Sequence, residues 1–99
     1  MKNHNYYVYI LSNKYRTVLY TGVTNNLYRR MYEHKYVEKE SFCFKYKCLD
    51  LIYYEWFTQI HYAIDREKQI KRWRKEKKIK LIKTLNPFFK NLNDLITYQ

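Results

Sequence analysis

The stretch YVYILSNKYRTVLYTGVTNNLYRRMYEH, residues 7–34, decides how the chain is read. Tyr7, Tyr9 and Leu11 alternate with Val8 and Ile10, the period of two that gives a β-strand two distinct faces. Ser12 to Thr17 is polar and turn-like, and Val18 to Gly22 is a second strand. Pairing Ser12 with Thr17 across a four-residue loop puts Tyr9 opposite Tyr20, on one face and about 5 Å apart at Cβ. A slip of one residue would put the two hydroxyls on opposite faces. Gly22 ends the strand, and Thr24, Asn25 and Asn26 supply capping side chains for a helix from about Leu27. On that helix Leu27, Arg30 and His34 share a stripe with Met31 nearby, while Arg29 points elsewhere. An arginine on the inward-leaning side of a helix needs an anion. A carboxylate in an ion pair and a phosphate held by the guanidinium fork both satisfy that need.

Outward from this stretch, residues 35–47 show no clear period and read as a loop with a short helical turn. There Lys45 and Lys47 alternate with Phe42, Phe44 and Tyr46, a pattern that suits either nucleic acid or an aromatic cover over a sheet edge. Leu49 to Phe57, LDLIYYEWF, is a third strand whose nearly unbroken apolar run predicts burial on both faces at the centre of the sheet. Thr58 is the expected N-cap of a helix running to about Trp73, with Ile60, Ala63, Ile64, Ile70 and Trp73 as its apolar stripe. One position in that stripe is a carboxylate, Glu67. Burying it costs several kcal/mol unless it is paired or holds a metal. Two readings follow: an ion pair with Arg30, or a ligand for a hard cation such as Mg2+, which often takes one or two protein carboxylates and keeps its waters. Arg74 to Leu85 is a second, basic helix with Ile79, Leu81, Ile82 and Leu85 inward. Asn86-Pro87 ends it, with Asn86 either a C-cap or an amide turned into a site.

The sum is an α+β fold in the order β-β-α-β-α-α, a three-stranded antiparallel sheet flanked by helices. It is expected as one domain over residues 1–99, with a core of about 5–90 and a closing segment over 88–99. A chain of 99 residues with 46% hydrophobic content has room for one modest core. No apolar run is long enough to span a membrane and no apolar leader opens the chain, so a cytoplasmic protein without a membrane partner is expected. Cys43 and Cys48 have no second cysteine pair and the three histidines are scattered, which argues for free thiols over structural zinc.

Twenty Lys and Arg against nine acids give a net charge of +11, and residues 66–83 hold ten of the cations with two acids. Such a face attracts polyphosphate. An amphipathic membrane helix would carry a wide apolar face opposite its lysines, and here the apolar positions are sparse. The partner expected is nucleic acid, DNA before RNA, met by Arg29, Lys45, Lys47, Lys71, Arg72, Arg74 and Lys75. A protein partner and the oligomeric state stay open.

In order and spacing, Tyr7-Val8-Tyr9, Tyr20-Thr21-Gly22, Arg30, His34, the segment Ala63-Ile64-Asp65-Arg66-Glu67 and Asn86 resemble the GIY-YIG nuclease domain, in particular its small stand-alone bacterial members. The first glycine of the family pattern is Tyr7 here, and the middle residue of the second motif is Thr21. The resemblance implies an endonuclease that hydrolyses phosphodiester bonds with Mg2+ or Mn2+ on Glu67. It also implies a phosphate held by Arg30, a tyrosine (Tyr9 or Tyr20) taking a proton from water, His34 relaying it, and Asn86 orienting the site through its amide. The alternative is a nucleic-acid-binding module that cuts nothing and uses the basic 66–83 helices.

Overall fold

The computed structural model describes residues 4–96, so the outermost residues of the expected domain, 1–3 and 97–99, lie outside the described residues. Three antiparallel strands form the sheet: β1 (Tyr6–Ser12), β2 (Leu19–Thr24) and β3 (Asp50–Phe57). Between β2 and β3 lie α1 (Leu27–Tyr32), a π-helical continuation (Glu33–Val37) and a single turn, α2 (Phe42–Lys45). After β3 come α3 (Ile60–Lys71) and α4 (Lys75–Leu85). The order and class are those the sequence implies.

The sheet order is β2-β1-β3, so β1 is central and β3 is an edge strand. This corrects the expectation drawn from the apolar run of 49–57. What buries that run is a cover over the edge: Leu92 N–H donates to the Leu51 carbonyl at 2.7 Å, and Asn93 Oδ1 accepts from Leu51 N–H at 2.8 Å. The C-terminal segment thereby takes the ladder bonds that an edge would otherwise leave open.

Tyr9 and Leu11 of β1 face a cluster with Leu27, Met31, Cys43, Cys48, Leu51 and Leu92. Val8 and Ile10 face the other, with Ile52, Tyr53, Ala63, Ile70 and Ile82. The alternation read from the sequence is therefore the division of the core: α1 and α2 cover one face, α3 and α4 the other. Ile52 and Tyr53 share a face because β3 carries a bulge. Ile10 pairs with Tyr53 and Leu11 with Leu51, which leaves Ile52 unpaired across β1.

Asn86 repairs that bulge. It is the C-cap of α4 and buried, and its Nδ2 donates to the Ile52 carbonyl at 3.0 Å and to the Lys90 carbonyl at 2.7 Å. Its Oδ1 accepts from Lys90 N–H at 3.0 Å. Both amide protons are thus spent on backbone, the C-cap role that is one of the two readings of the sequence. Asn86→Ala would leave a buried carbonyl without a donor, at about 1–3 kcal/mol. We expect a lower urea midpoint at unchanged slope; a variant as stable as wild type would deny the latch.

Helix α3 starts one turn-position later than expected, at Ile60. Gln59 rather than Thr58 is the cap, and it makes no side-chain cap bond. Ile60 and Leu85, both expected inward, are exposed at the helix ends. Arg66 anchors α3 to β3 through Glu55, with Nε to Oε1 at 2.9 Å and Nη2 to Oε2 at 3.0 Å. Trp73 marks the break between α3 and α4, with Arg66 Cζ 5.2 Å and Lys77 Nζ 4.3 Å from its ring centroid.

Candidate active site

The register of β1 on β2 pairs Tyr9 with Gly22 and Leu11 with Tyr20, two residues away from the pairing expected. The loop is longer because Asn13 closes it with its side chain. Its Oδ1 accepts from Thr17 N–H at 2.8 Å and Val18 N–H at 3.0 Å. A shift of two keeps parity, so Tyr9 and Tyr20 still share a face, now as diagonal neighbours with ring centroids 6.4 Å apart. Tyr9 crosses over Gly22 itself. A Cβ built on that glycine would lie 2.4 Å from both Cζ and Oη of Tyr9.

Helix α1 brings up the next two groups. Asn26 caps it by accepting from Arg29 N–H at 3.0 Å, and Thr24 Oγ1 accepts from Asn26 N–H at 3.2 Å. Leu27 and Met31 pack inward, which orients Arg30 and His34 against the tyrosine face. His34 Nε2 lies 2.9 Å from Tyr9 Oη, and the imidazole stands edge-on to both tyrosine rings at 6.0 and 5.7 Å. The Arg30 charge also bears on the Tyr9 phenol. Nδ1 of His34 is buried with no hydrogen-bond partner among the described residues.

Arg30 does not pair with Glu67. Its Nη1 reaches Glu33 Oε1 at 3.1 Å and makes a short contact to Glu38 Oε2. The sequence reading missed both acids. Glu33 sits at helical spacing and was legible; Glu38 comes within reach only because the helix continues past Tyr32 as π-helical turns. Partial burial works against the guanidinium charge, but Tyr9, Glu38 and Glu33 beside it hold its pKa above the ordinary value.

Burial pushes the Tyr9 phenol above its usual range, with Arg30 opposing that and Tyr20 adding to it. Tyr9 is 1% exposed and is a protonated donor at neutral pH. His34 is pulled down to about 4, by burial first and then by the Arg30 charge. Since the unfolded histidine titrates at its ordinary 6.5, unfolding takes up a proton between that value and about 4. Stability from neutral His34 is therefore complete above the ordinary value and lost as pH falls toward the folded one. His34→Gln cannot charge. We expect the melting temperature of wild type to fall further than that of the variant across this interval, and parallel curves would refute the assignment.

Glu67 comes from the other side, on α3. Its side chain is 12% exposed, and Oε1 is 2.9 Å from Lys71 Nζ, one helical turn on. The same ammonium lies 5.8 Å from the Tyr20 ring centroid. Lys71, expected as a surface contact to nucleic acid, is thus the link between Glu67 and the tyrosine face. A family model for the GIY-YIG catalytic domain matches residues 5–80.

The chain belongs to the GIY-YIG family. A UPF0213 protein of Bacillus pumilus (strain SAFR-032) is 31% identical over 78 residues, 79% of each chain. A UPF0213 protein of Natronomonas pharaonis is 36% identical over 77 residues, 78% of this chain and 89% of its own. No solved structure matches the chain to the same standard. The family match sets the chain among nuclease-type catalytic domains.

Within this GIY-YIG domain, Tyr9, Tyr20, Arg30 and His34 form one contact group, Glu67 joins it through Lys71, and Asn86 is a backbone latch. Among the described residues no three His, Cys, Asp or Glu gather as a metal site, so a metal bound by several side chains does not fit. A hard cation with a single carboxylate ligand and its own waters does, because Lys71 engages only one oxygen of Glu67. Of the other expected contacts, Arg29 donates to Asn25 Oδ1 at 2.6 Å and Lys75 to the Thr17 carbonyl at 2.7 Å. Arg72 and Arg74 stand exposed at the α3–α4 break, and Lys45 and Lys47 are exposed beside α2. Cys43 and Cys48 are free and buried. Among the described residues no helix is long and apolar enough to cross a membrane.

Proposed function

We propose that the chain is a metal-dependent endonuclease that hydrolyses phosphodiester bonds in DNA. The observation that carries this reading is the Glu67–Lys71–Tyr20 contact, which joins a nearly buried carboxylate to the tyrosine face in a family of nuclease-type domains. Arg30, held from behind by Glu33 and Glu38, binds a non-bridging phosphate oxygen with its remaining N–H groups. Tyr20 rather than Tyr9 takes the proton of the attacking water. It is the partly exposed residue of the pair, whereas Tyr9 is buried with its hydroxyl against His34 Nε2. Tyr9 and His34 fix the arginine and the Tyr20 ring in place. Glu67 would hold Mg2+ or Mn2+, which would supply positive charge to a phosphate undergoing hydrolysis. Lys71, Arg72 and Arg74 carry the DNA backbone past this spot.

The test is a panel of plasmid, branched and single-stranded DNA and RNA, with Mg2+, Mn2+ or chelator. Cleavage only with metal is expected, with affinity that falls steeply as salt rises. Tight, salt-dependent binding with no substrate cut would make the chain a binding module instead.

A further inference from the structure

An exposed ladder of rings begins at Tyr20. Its ring stacks on Phe42 with centroids 5.9 Å apart and planes 28° apart, and Phe42 lies 4.6 Å from Tyr46. Phe42 and Tyr46 are 45% and 48% exposed, with Phe44 beside them. Their i,i+4 spacing on the α2 turn sets both rings on one side. The turn itself is anchored. Cys43 and Cys48 are buried behind it, Cys48 N–H donates to the Cys43 carbonyl at 2.8 Å, and Ser41 Oγ accepts from Phe44 N–H at 3.3 Å. Lys45 and Lys47 stand exposed at its end, and Lys71 covers the Tyr20 end.

Flat apolar faces rimmed by cations call for a ligand with π faces and an anionic backbone. Bases inside a duplex already stack on each other and present no face; unpaired bases do. An apolar protein surface would suit the rings but gain nothing from the lysines. We propose that Phe42 and Tyr46 form a shelf on which unpaired bases stack beside Tyr20 and the phosphate held by Arg30, so that single-stranded or locally melted DNA is the preferred substrate. The preference for cleavage rests on the nuclease reading above; the stacking itself does not.

The full-length protein in chelator is titrated with a short DNA strand carrying a fluorescent adenine analogue whose emission falls on stacking, and with its fully paired duplex. We expect quenching and tighter binding on the single strand alone. Base–aromatic stacking of about 1–3 kcal/mol converts to a roughly 5–150-fold loss of single-strand affinity in Tyr46→Ala. Phe42→Leu, which keeps an apolar contact for Tyr20, should lose affinity in the same direction, and both variants should bind duplex as wild type does. Absent quenching, or equal losses on both substrates, overturns the shelf. Cleavage with metal is then scored separately. Quenching without cleavage keeps the shelf and fails the nuclease reading, and cleavage blind to strandedness overturns the substrate preference alone.

Discussion

Glu67→Gln should lower the cleavage rate by about a thousand-fold or more while leaving DNA affinity and fold nearly intact. Losing the charge stabilisation at a reacting phosphate costs several kcal/mol of barrier, and each 1.4 kcal/mol is about ten-fold in rate. Glutamine keeps the volume and one acceptor for Lys71 Nζ, so the helix surface changes little. The carboxylate itself faces the 12% exposed spot that Lys71 covers, so little of its charge is offered directly to the DNA. Losing its charge also leaves the Lys71 ammonium without a counter-charge, which should leave binding equal or slightly tighter. A loss of cleavage together with a loss of affinity would point to a collapsed surface, and a wild-type rate in the variant would remove Glu67 from the chemistry. Glu67→Asp is the sharper control: it keeps the charge but shortens the reach, and should recover part of the rate only at raised metal concentration.

Glu67 was legible because it breaks a rule. The stripe of Ala63, Ile64 and Ile70 demands an apolar residue at 67, and a buried carboxylate in its place needs a partner. What periodicity could not tell was which partner. Arg30 sits 37 positions earlier and looked complementary, yet its charge is met locally by Glu33 and Glu38, and Glu67 is met by Lys71 one turn on. Ion pairs close over short sequence distances first, since the helix already holds both ends near each other. Asn86 carries two readings in the sequence, and its bonds go to the backbone at Ile52 and Lys90. The division of β1 into two faces was legible because alternation is a direct consequence of the strand's geometry. The order of strands was not. An apolar strand buried by neighbouring strands and one buried by a C-terminal segment carry the same sequence, and β3 is the second kind. The hairpin register shows the same limit: alternation fixes parity and nothing finer, and the two-residue shift came from Asn13 closing the loop with its own side chain.

That shift gives Gly22 its weight, and Gly22→Ala should both destabilise the domain and cut the cleavage rate by about a hundred-fold. The glycine has no left-handed backbone to protect, since no glycine of the chain has a positive φ. The constraint is space alone. A methyl group there would meet Tyr9 Cζ and Oη at 2.4 Å, about an ångström inside ordinary contact. The phenol cannot swing away at low cost, because the side chain is 1% exposed and its oxygen is tied to His34. Overpacking of this kind costs about 1–3 kcal/mol, and a displacement near an ångström at a site costs about a hundred-fold in rate. The penalty is specific to the ring. In a Tyr9→Leu background, where the obstructing atoms are gone, the same methyl should cost much less stability than it does in wild type, a coupling that a double-mutant cycle by urea denaturation reads directly. Additive losses would mean that the two residues do not meet as described. The Tyr9→Leu background should stay inactive whatever happens at Gly22, because the hydroxyl that bonds His34 and meets the Arg30 charge goes with the ring. Stability rescued without activity is the pattern expected if Gly22 exists to let Tyr9 cross the sheet and reach them.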